Sequence, residues 1–189
     1  MREKNHIEDY IRSAVAGVSR LDPREAAPVL DTLLEVLRGG GKILVCGNGG
    51  SAADGSHFAG ELVGRFRLER RGIPAVSLSA DTAVLTALGN DYGFDRVFQR
   101  QVEALGAPGD ALLALTTSGA SPNIVKAAES AGRIGMKVIA LTSAACESAP
   151  WAHVHWRAPS RETSHAQEQM MIVLHGICLG LEELLAKGT

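Results

Sequence analysis

A chain of 189 residues, 46% apolar and only 4% aromatic, is long enough for one packed unit whose core must be filled by Leu, Val, Ile and Ala. Its formal charge of −2 offers no basic face for nucleic acid. No run approaches the roughly 20 apolar residues of a membrane span, and the opening Met-Arg-Glu-Lys-Asn-His-Ile-Glu-Asp has acids but no apolar signal-peptide segment, so a cytoplasmic protein with no membrane partner is expected.

Two helices are expected first. Ile7, Ile11, Ala14, Val15 and Val18 recur at helical spacing among Glu8, Asp9 and Arg12. Asp22-Pro23 then reads as an N-cap followed by proline at the first helical position. The helix it opens carries Ala26, Leu30, Leu33, Leu34 and Leu37 and stops at Gly39-Gly40-Gly41. From Lys42 onward, short apolar runs at 43–46, 75–78, 111–115, 137–141 and 153–156 predict strands, with helical stretches at 51–65, 81–88, 95–105 and 121–134. This alternation predicts an α/β fold with a five-stranded parallel sheet flanked by helices. Right-handed crossovers bring every strand C-terminus, and therefore the ligand, to one edge. The last predicted helix, 162–186, is apolar almost without interruption over 170–174 and 177–179, as expected of a helix buried on all sides, here against another subunit. Cys46, Cys146 and Cys178 are odd in number and form no CxxC pair, so reduced thiols are expected. There is no repeat and no linker, which predicts a single domain over 1–189.

Gly47-Asn48-Gly49-Gly50-Ser51-Ala52 satisfies the G-x-G-x-x-G/A pattern after a strand. A dinucleotide site also needs an acid about 20 residues on, closing the second strand. The chain offers Arg67-Leu68-Glu69-Arg70-Arg71-Gly72-Ile73 and a strand ending Leu78-Ser79, so that acid is missing. No Gly-Lys-Ser/Thr follows, which excludes a P-loop. A second loop, Thr116-Thr117-Ser118-Gly119-Ala120-Ser121-Pro122-Asn123, crowds four hydroxyls at a helix start. Free N–H groups and the helix dipole favour an anion there, and hydroxyl donors complete a phosphate cradle without net charge. His57 and Glu61 are i and i+4 and share a helix face, as an ordinary exposed pair also would.

The stretches "CGNGGSAAD", "HFAGELVGRF", "GNDYGFD", "TTSGASPNIVKA" and "QEQMMIVLH" together resemble SIS-type sugar-phosphate domains, and within them the sedoheptulose-7-phosphate (phosphoheptose) isomerases, over nearly the whole chain. The resemblance implies an SIS-type three-layer sandwich, with helices in 1–40 used for oligomerisation and a sugar-phosphate-binding core in 41–189. It implies a homotetramer with active sites at subunit interfaces and one zinc ion per site. The implied reaction converts sedoheptulose 7-phosphate to D-glycero-D-manno-heptose 7-phosphate through an enediol. Matched by position, the substrate contacts fall on Asn48, Gly49, Gly50, Ser51, Glu61, Asn90, Asp91, Thr116, Thr117, Ser118, Ser121 and Gln167, with Arg65 a further implied contact. The metal ligands fall on His57, Glu61, Gln167 and His175, with Glu61 as general base and His175 as general acid.

That chemistry suits these residue types. Moving a proton between C1 and C2 needs a base for the carbon-bound proton and an acid at the carbonyl oxygen. Two imidazoles, a carboxylate and an amide oxygen suit zinc. Gln167 and His175 stand eight residues apart, roughly 12 Å along a helix axis. One ion can use both only from a distorted helix start or from different subunits. The chain departs from the family at His165-Ala166, where an Arg-Ile pair is usual, and at Ser143-Ala144-Ala145-Cys146-Glu147, where the loop is commonly glycine-rich. Two alternatives remain from the same fold: a non-catalytic tetramer that binds a replication initiator, whose known examples lack the equivalents of Glu61 and His175, and a sugar-phosphate sensor. Elsewhere, His153 and His155 are expected on an edge strand, Arg67, Arg70 and Arg71 in a solvated loop, and His6 facing solvent.

Overall fold

A computed structural model describes residues 5–186. Helix α1 (His6–Val18) starts where the Asn5 side chain accepts from the Glu8 N–H at 3.2 Å. Helix α2 (Pro23–Arg38) starts where Asp22 accepts from the Arg24 N–H at 2.9 Å, with Pro23 in the first turn. Strand β1 (Ile43–Gly47) leads into α3 (Gly50–Val63), followed by β2 (Ala75–Ser77). Then come α4 (Thr82–Tyr92), a 3-10 turn (Phe94–Arg96) and α5 (Val97–Leu105). The remaining elements are β3 (Ala111–Leu115), α6 (Pro122–Ile134), β4 (Lys137–Ser143), β5 (Val154–Ala158) and α7 (Thr163–Ala186).

All strand pairs are parallel, in the order β2-β1-β3-β4-β5. The sheet is covered on both faces, and the period-2 alternation of its strands divides the core in two. Ile43, Val45, Leu113, Leu115, Ile139 and Leu141 face α2, α3 and α7. Leu44, Cys46, Leu112, Ala114 and Val138 face α5 and α6. Phe58, Phe98, Leu33 and Leu62 are among the largest fully buried side chains, each contributing about 1.5–3 kcal/mol by leaving water. This is the expected five-stranded α/β architecture.

Several boundaries differ from expectation, each for a local reason. Helix α4 passes Gly89 and ends only at Gly93, whose φ of +86° breaks the spiral, so Asn90 and Asp91 belong to its last turn. The helix expected at 95–105 begins as a 3-10 turn closed by the Arg96 N–H to Gly93 carbonyl bond. Strand β4 runs on to Ser143 because Thr142 and Ser143 pair with Arg157 and Ala158. His153 stands just before edge strand β5, and its Nδ1 accepts from the Val138 N–H at 2.9 Å.

Helix α7 is not buried on all sides within one chain. Ala166, Met170, Leu174, Ile177, Cys178 and Leu181 form a helical stripe in the core. On its other side Ile172 is 45% exposed, and Ile172, Val173 and Gly176 line an open apolar groove of about 530 Å³ shared with Val18, Leu21, Ala26 and Leu30. By length and composition α7 is the one described helix that could cross a membrane, which the sequence reading did not anticipate. Core helices of this kind pass the same test, and its apolar stripe packs beneath the sheet.

Candidate functional site

The chain reverses direction across the sheet between β1 and β3, since β1 continues to β2 on one side while β3 lies on the other. In open parallel sheets ligands bind in the crevice outside the strand C-termini at such a point. The two loops singled out above leave these two strands. Gly49 takes φ +55° and ψ −124°, a turn that an L side chain would strain. A Cβ on Gly50 would stand 2.7 Å from the Gln167 amide nitrogen. Only glycine there lets Gln167 lie against the loop, where its Nε2 donates to Ser51 Oγ at 3.2 Å.

Asn48, Gly49, Gly50, Ser51, Thr116, Thr117, Ser118, Ser121 and Gln167 thus line one cavity of about 380 Å³, together with Leu115 and Thr163. No charged side chain lines it. The starts of α3 and α6 supply the positive potential instead. Ser121 occupies the N-cap position of α6, yet its hydroxyl makes no capping bond, which leaves it free to meet an anion. Thr163, at the first turn of α7, carried no signal in its local sequence.

Asn123 sits in the first turn of α6, directly after the second loop. It is 3% exposed and forms a closed amide pair with Asn48: Asn48 Nδ2 donates to Asn123 Oδ1 at 2.9 Å, and Asn123 Nδ2 returns a bond to Asn48 Oδ1 at 2.8 Å. The pair ties the glycine loop to the first turn of α6. The 143–147 loop acts behind the cradle. Ser143 Oγ donates to the Thr117 carbonyl at 2.6 Å, and Cys146 packs so closely on Gly119 that a Cβ there would collide with its sulfur.

The titratable residues form a second group. His57 Nε2 lies 3.1 Å from Glu61 Oε1 and 3.4 Å from His175 Nε2, within one chain. The two imidazoles meet edge to face at 5.1 Å, and the Phe66 ring stacks on His175 at 5.3 Å. His57 is 48% exposed and Glu61 26%. Asp54, one turn before His57, is an addition that the spacing in "ADGSH" could have signalled. Its Oδ2 is buried without a hydrogen-bond partner, and burial pushes its carboxyl up against the opposing pull of His57.

Other expected residues lie elsewhere. Asn90 and Asp91 are exposed, hydrogen-bonded to one another at 2.8 Å, and do not line the cavity. Arg65 is exposed beside Glu69. Arg70 is not solvated as expected: its side chain is 10% exposed and pairs with the fully buried Glu182 at 3.0 Å. His165, the first departure, turns from the cavity towards α1, with Nε2 2.6 Å from Ser13 Oγ and Nδ1 3.0 Å from Glu168.

Zinc bonded to nitrogen at about 2.0–2.1 Å implies ligand-to-ligand edges of about 3.3 Å in a tetrahedron. The 3.1 and 3.4 Å separations around His57 match such edges, and the two imidazoles and carboxylate are the right donors. Among the described residues no three His, Cys, Asp or Glu side chains form a finished cage, so the chain offers two adjoining donor pairs. Helix α7 is continuous from Thr163, with Gln167 well inside it against Ser51. The distorted helix start that would let one ion use both Gln167 and His175 of a single chain is therefore absent.

An SIS domain model matches residues 9–143. The phosphoheptose isomerase of Bordetella avium is 43% identical over 192 residues, covering 100% of this chain and 97% of that protein. The phosphoheptose isomerase of Trichlorobacter lovleyi is 42% identical over 190 residues, covering 95% and 94%. Among solved structures, a phosphoheptose isomerase from Francisella tularensis superposes with a TM-score of 0.88 at 36% identity, covering 94% of this chain and 96% of that one.

Proposed function

Since the chain belongs to the phosphoheptose isomerases of the SIS-domain family, and so is a sugar-phosphate isomerase, we propose that its substrate is sedoheptulose 7-phosphate and its product D-glycero-D-manno-heptose 7-phosphate. The phosphate would enter the uncharged cavity and take hydroxyl and N–H donors from Thr116, Thr117, Ser118 and Ser121 at the start of α6. Asn48, Gly49, Gly50 and Ser51 would hold the sugar chain from the glycine loop, with Gln167 packed against that loop in the same cavity.

Glu61 acts as base, removing the proton from C1 of the ketose. His175 acts as acid at the C2 oxygen and so allows the enediol to form. Returning a proton to C2 and releasing one from O1 completes the aldose. His57, Glu61, His175 and Gln167 would hold zinc, with Gln167 coming from a neighbouring subunit of a tetramer. When bound, the metal would polarise the carbonyl and offset the charge that develops on oxygen. Asn90 and Asp91, exposed on a helix with no buried residue, would reach substrate only across such an interface.

The observation that carries this reading is the meeting of His175 with the His57–Glu61 pair, 118 residues from His57 in the chain, on the helix whose first turn lines the anion cavity. The test is to incubate purified protein with sedoheptulose 7-phosphate and follow the aldoheptose phosphate by NMR, with metal content measured on the same sample. Turnover with about one zinc per chain is expected. Protein that is loaded with zinc but leaves the ketose unchanged would refute the substrate.

A further inference from the structure

Glu182 is the most fully enclosed charge in the described chain, at 0% exposure, and the proposed chemistry makes no use of it. Its two carboxylate oxygens accept three successive backbone N–H groups, from Phe66 at 2.8 Å, Arg67 at 2.9 Å and Leu68 at 3.1 Å, and the Arg70 Nε at 3.0 Å. A loop whose consecutive amides converge on one buried anion has a single conformation available to it. Burial opposes ionisation of Glu182, but the three N–H donors and the Arg70 charge outweigh it and hold the carboxyl below its ordinary range.

Two links run from this node to the reacting groups. Arg70 turns its remaining N–H groups onto the end of α3, to the Leu62 carbonyl at 2.8 Å, the Gly64 carbonyl at 3.3 Å and the carbonyl of Glu61 itself at 3.0 Å. Phe66, whose amide Glu182 binds, lays its ring on the His175 imidazole at 5.3 Å with 23° between the planes. Glu182 follows His175 by seven residues, two turns along the same face of α7. The strap between α3 and β2 is therefore pinned at one end by Glu182, caps the helix that carries His57 and Glu61, and supports the ring of His175.

We infer that Glu182, Arg70 and Phe66 are positioning residues that set the separation of His175 from the His57–Glu61 pair. A buried ion pair can also serve stability alone, so the distinction lies in what a substitution changes. The inference rests on the metal and acid roles proposed above for His175, and the experiment separates the two. Supporting residues of metal ligands are typically worth about 10- to 100-fold in metal affinity or activity.

The protein would be loaded with cobalt(II), whose visible absorption reports coordination without turnover. Cobalt affinity, kcat, KM and Tm would then be compared for wild type, Phe66→Leu, Phe66→Tyr, Glu182→Gln and His175→Ala. Phe66→Leu is expected to lose about 10-fold or more in cobalt affinity and in kcat with KM held within about twofold. Phe66→Tyr, which keeps the ring, is expected to match wild type, and His175→Ala to lose the cobalt band. Should Glu182→Gln fail to fold, the two Phe66 variants carry the test unaided. If Phe66→Leu keeps the cobalt spectrum and kcat and lowers only Tm, while His175→Ala loses the band, the strap is structural and this inference alone is overturned. A His175→Ala protein that keeps both cobalt and turnover overturns the inference together with the roles on which it rests.

Discussion

The two halves of the site are made of different material. The anion cavity uses backbone, amides and hydroxyls on loops leaving β1 and β3, and no charged group lines it. Its parts already hold one another, through the Asn48–Asn123 pair and the Ser143 brace on Thr117. The other half is made of titratable side chains on the bodies of α3 and α7, spaced 3.1 and 3.4 Å apart and open to solvent at His57. The first half is already lined and braced by residues of one chain. The second consists of donor pairs that an ion, and a neighbour's amide, would finish. Recognition of an anion needs fixed donors and no titration, whereas proton transfer needs groups whose protonation can change. Substitutions should accordingly divide between KM and kcat.

The largest expected effect tests that division at its chemical end. Glu61→Gln keeps shape and removes the proposed base, so kcat should fall by about 10²–10⁴-fold while KM stays within a few-fold in steady-state assays. A rise in KM with kcat preserved would instead place Glu61 in the binding half. The next effect tests the other end. Asn123→Ala strands the Asn48 amide, and leaving such a group without a partner costs about 1–3 kcal/mol. If that freedom displaces the glycine loop, KM should rise about tenfold with kcat unchanged. A loss confined to kcat would mean that Asn48 serves the reacting carbons more than the binding of the sugar phosphate.

The same division explains what could be read from the sequence. The sheet was legible because apolar runs alternate with helical stretches, and the cavity because both of its loops follow strands directly. Local pattern was enough for the sheet and for these two loops, though not for Thr163 and Gln167, which α7 brings to the same cavity. His57 and Glu61 were visible as an i, i+4 pair, but their meeting with His175, 118 residues from His57, depends on how α7 lies across α3. Only the family resemblance brought that residue forward. Arg70 was misread because a run of Arg67, Arg70 and Arg71 is usually solvated, and nothing nearby reveals that Glu182 lies buried beside it, 112 residues away. Asn90 and Asp91 could be named but not located, since α4 extends past residue 88, where the helical stretch was expected to end.

The smallest expected effect on catalysis sharpens the comparison by leaving the ligand edge altogether. Asp110 lies at the opposite edge of the sheet, just before β3. Its Oδ1 accepts from the Lys42 N–H at 2.9 Å, and its Oδ2 accepts from Lys42 Nζ at 2.5 Å and the Ala107 N–H at 2.8 Å. Burial opposes its ionisation, but Lys42 and the two backbone donors prevail and hold the carboxyl below its usual range. A depressed pKa in the folded chain means that the carboxylate stabilises the fold above the unfolded value of about 3.9 and stops doing so as pH falls through the folded one. Asp110→Asn turns an NH₂ towards two donors and should cost about 1.5–3 kcal/mol at pH 7 by urea unfolding. That deficit should shrink below about pH 4, where wild type loses the same contribution. The kcat and KM of the folded variant should equal those of wild type, because neither half of the site touches this edge. If activity falls along with stability, the two edges of the sheet are mechanically coupled, and the independence of binding from chemistry would have to be abandoned with it.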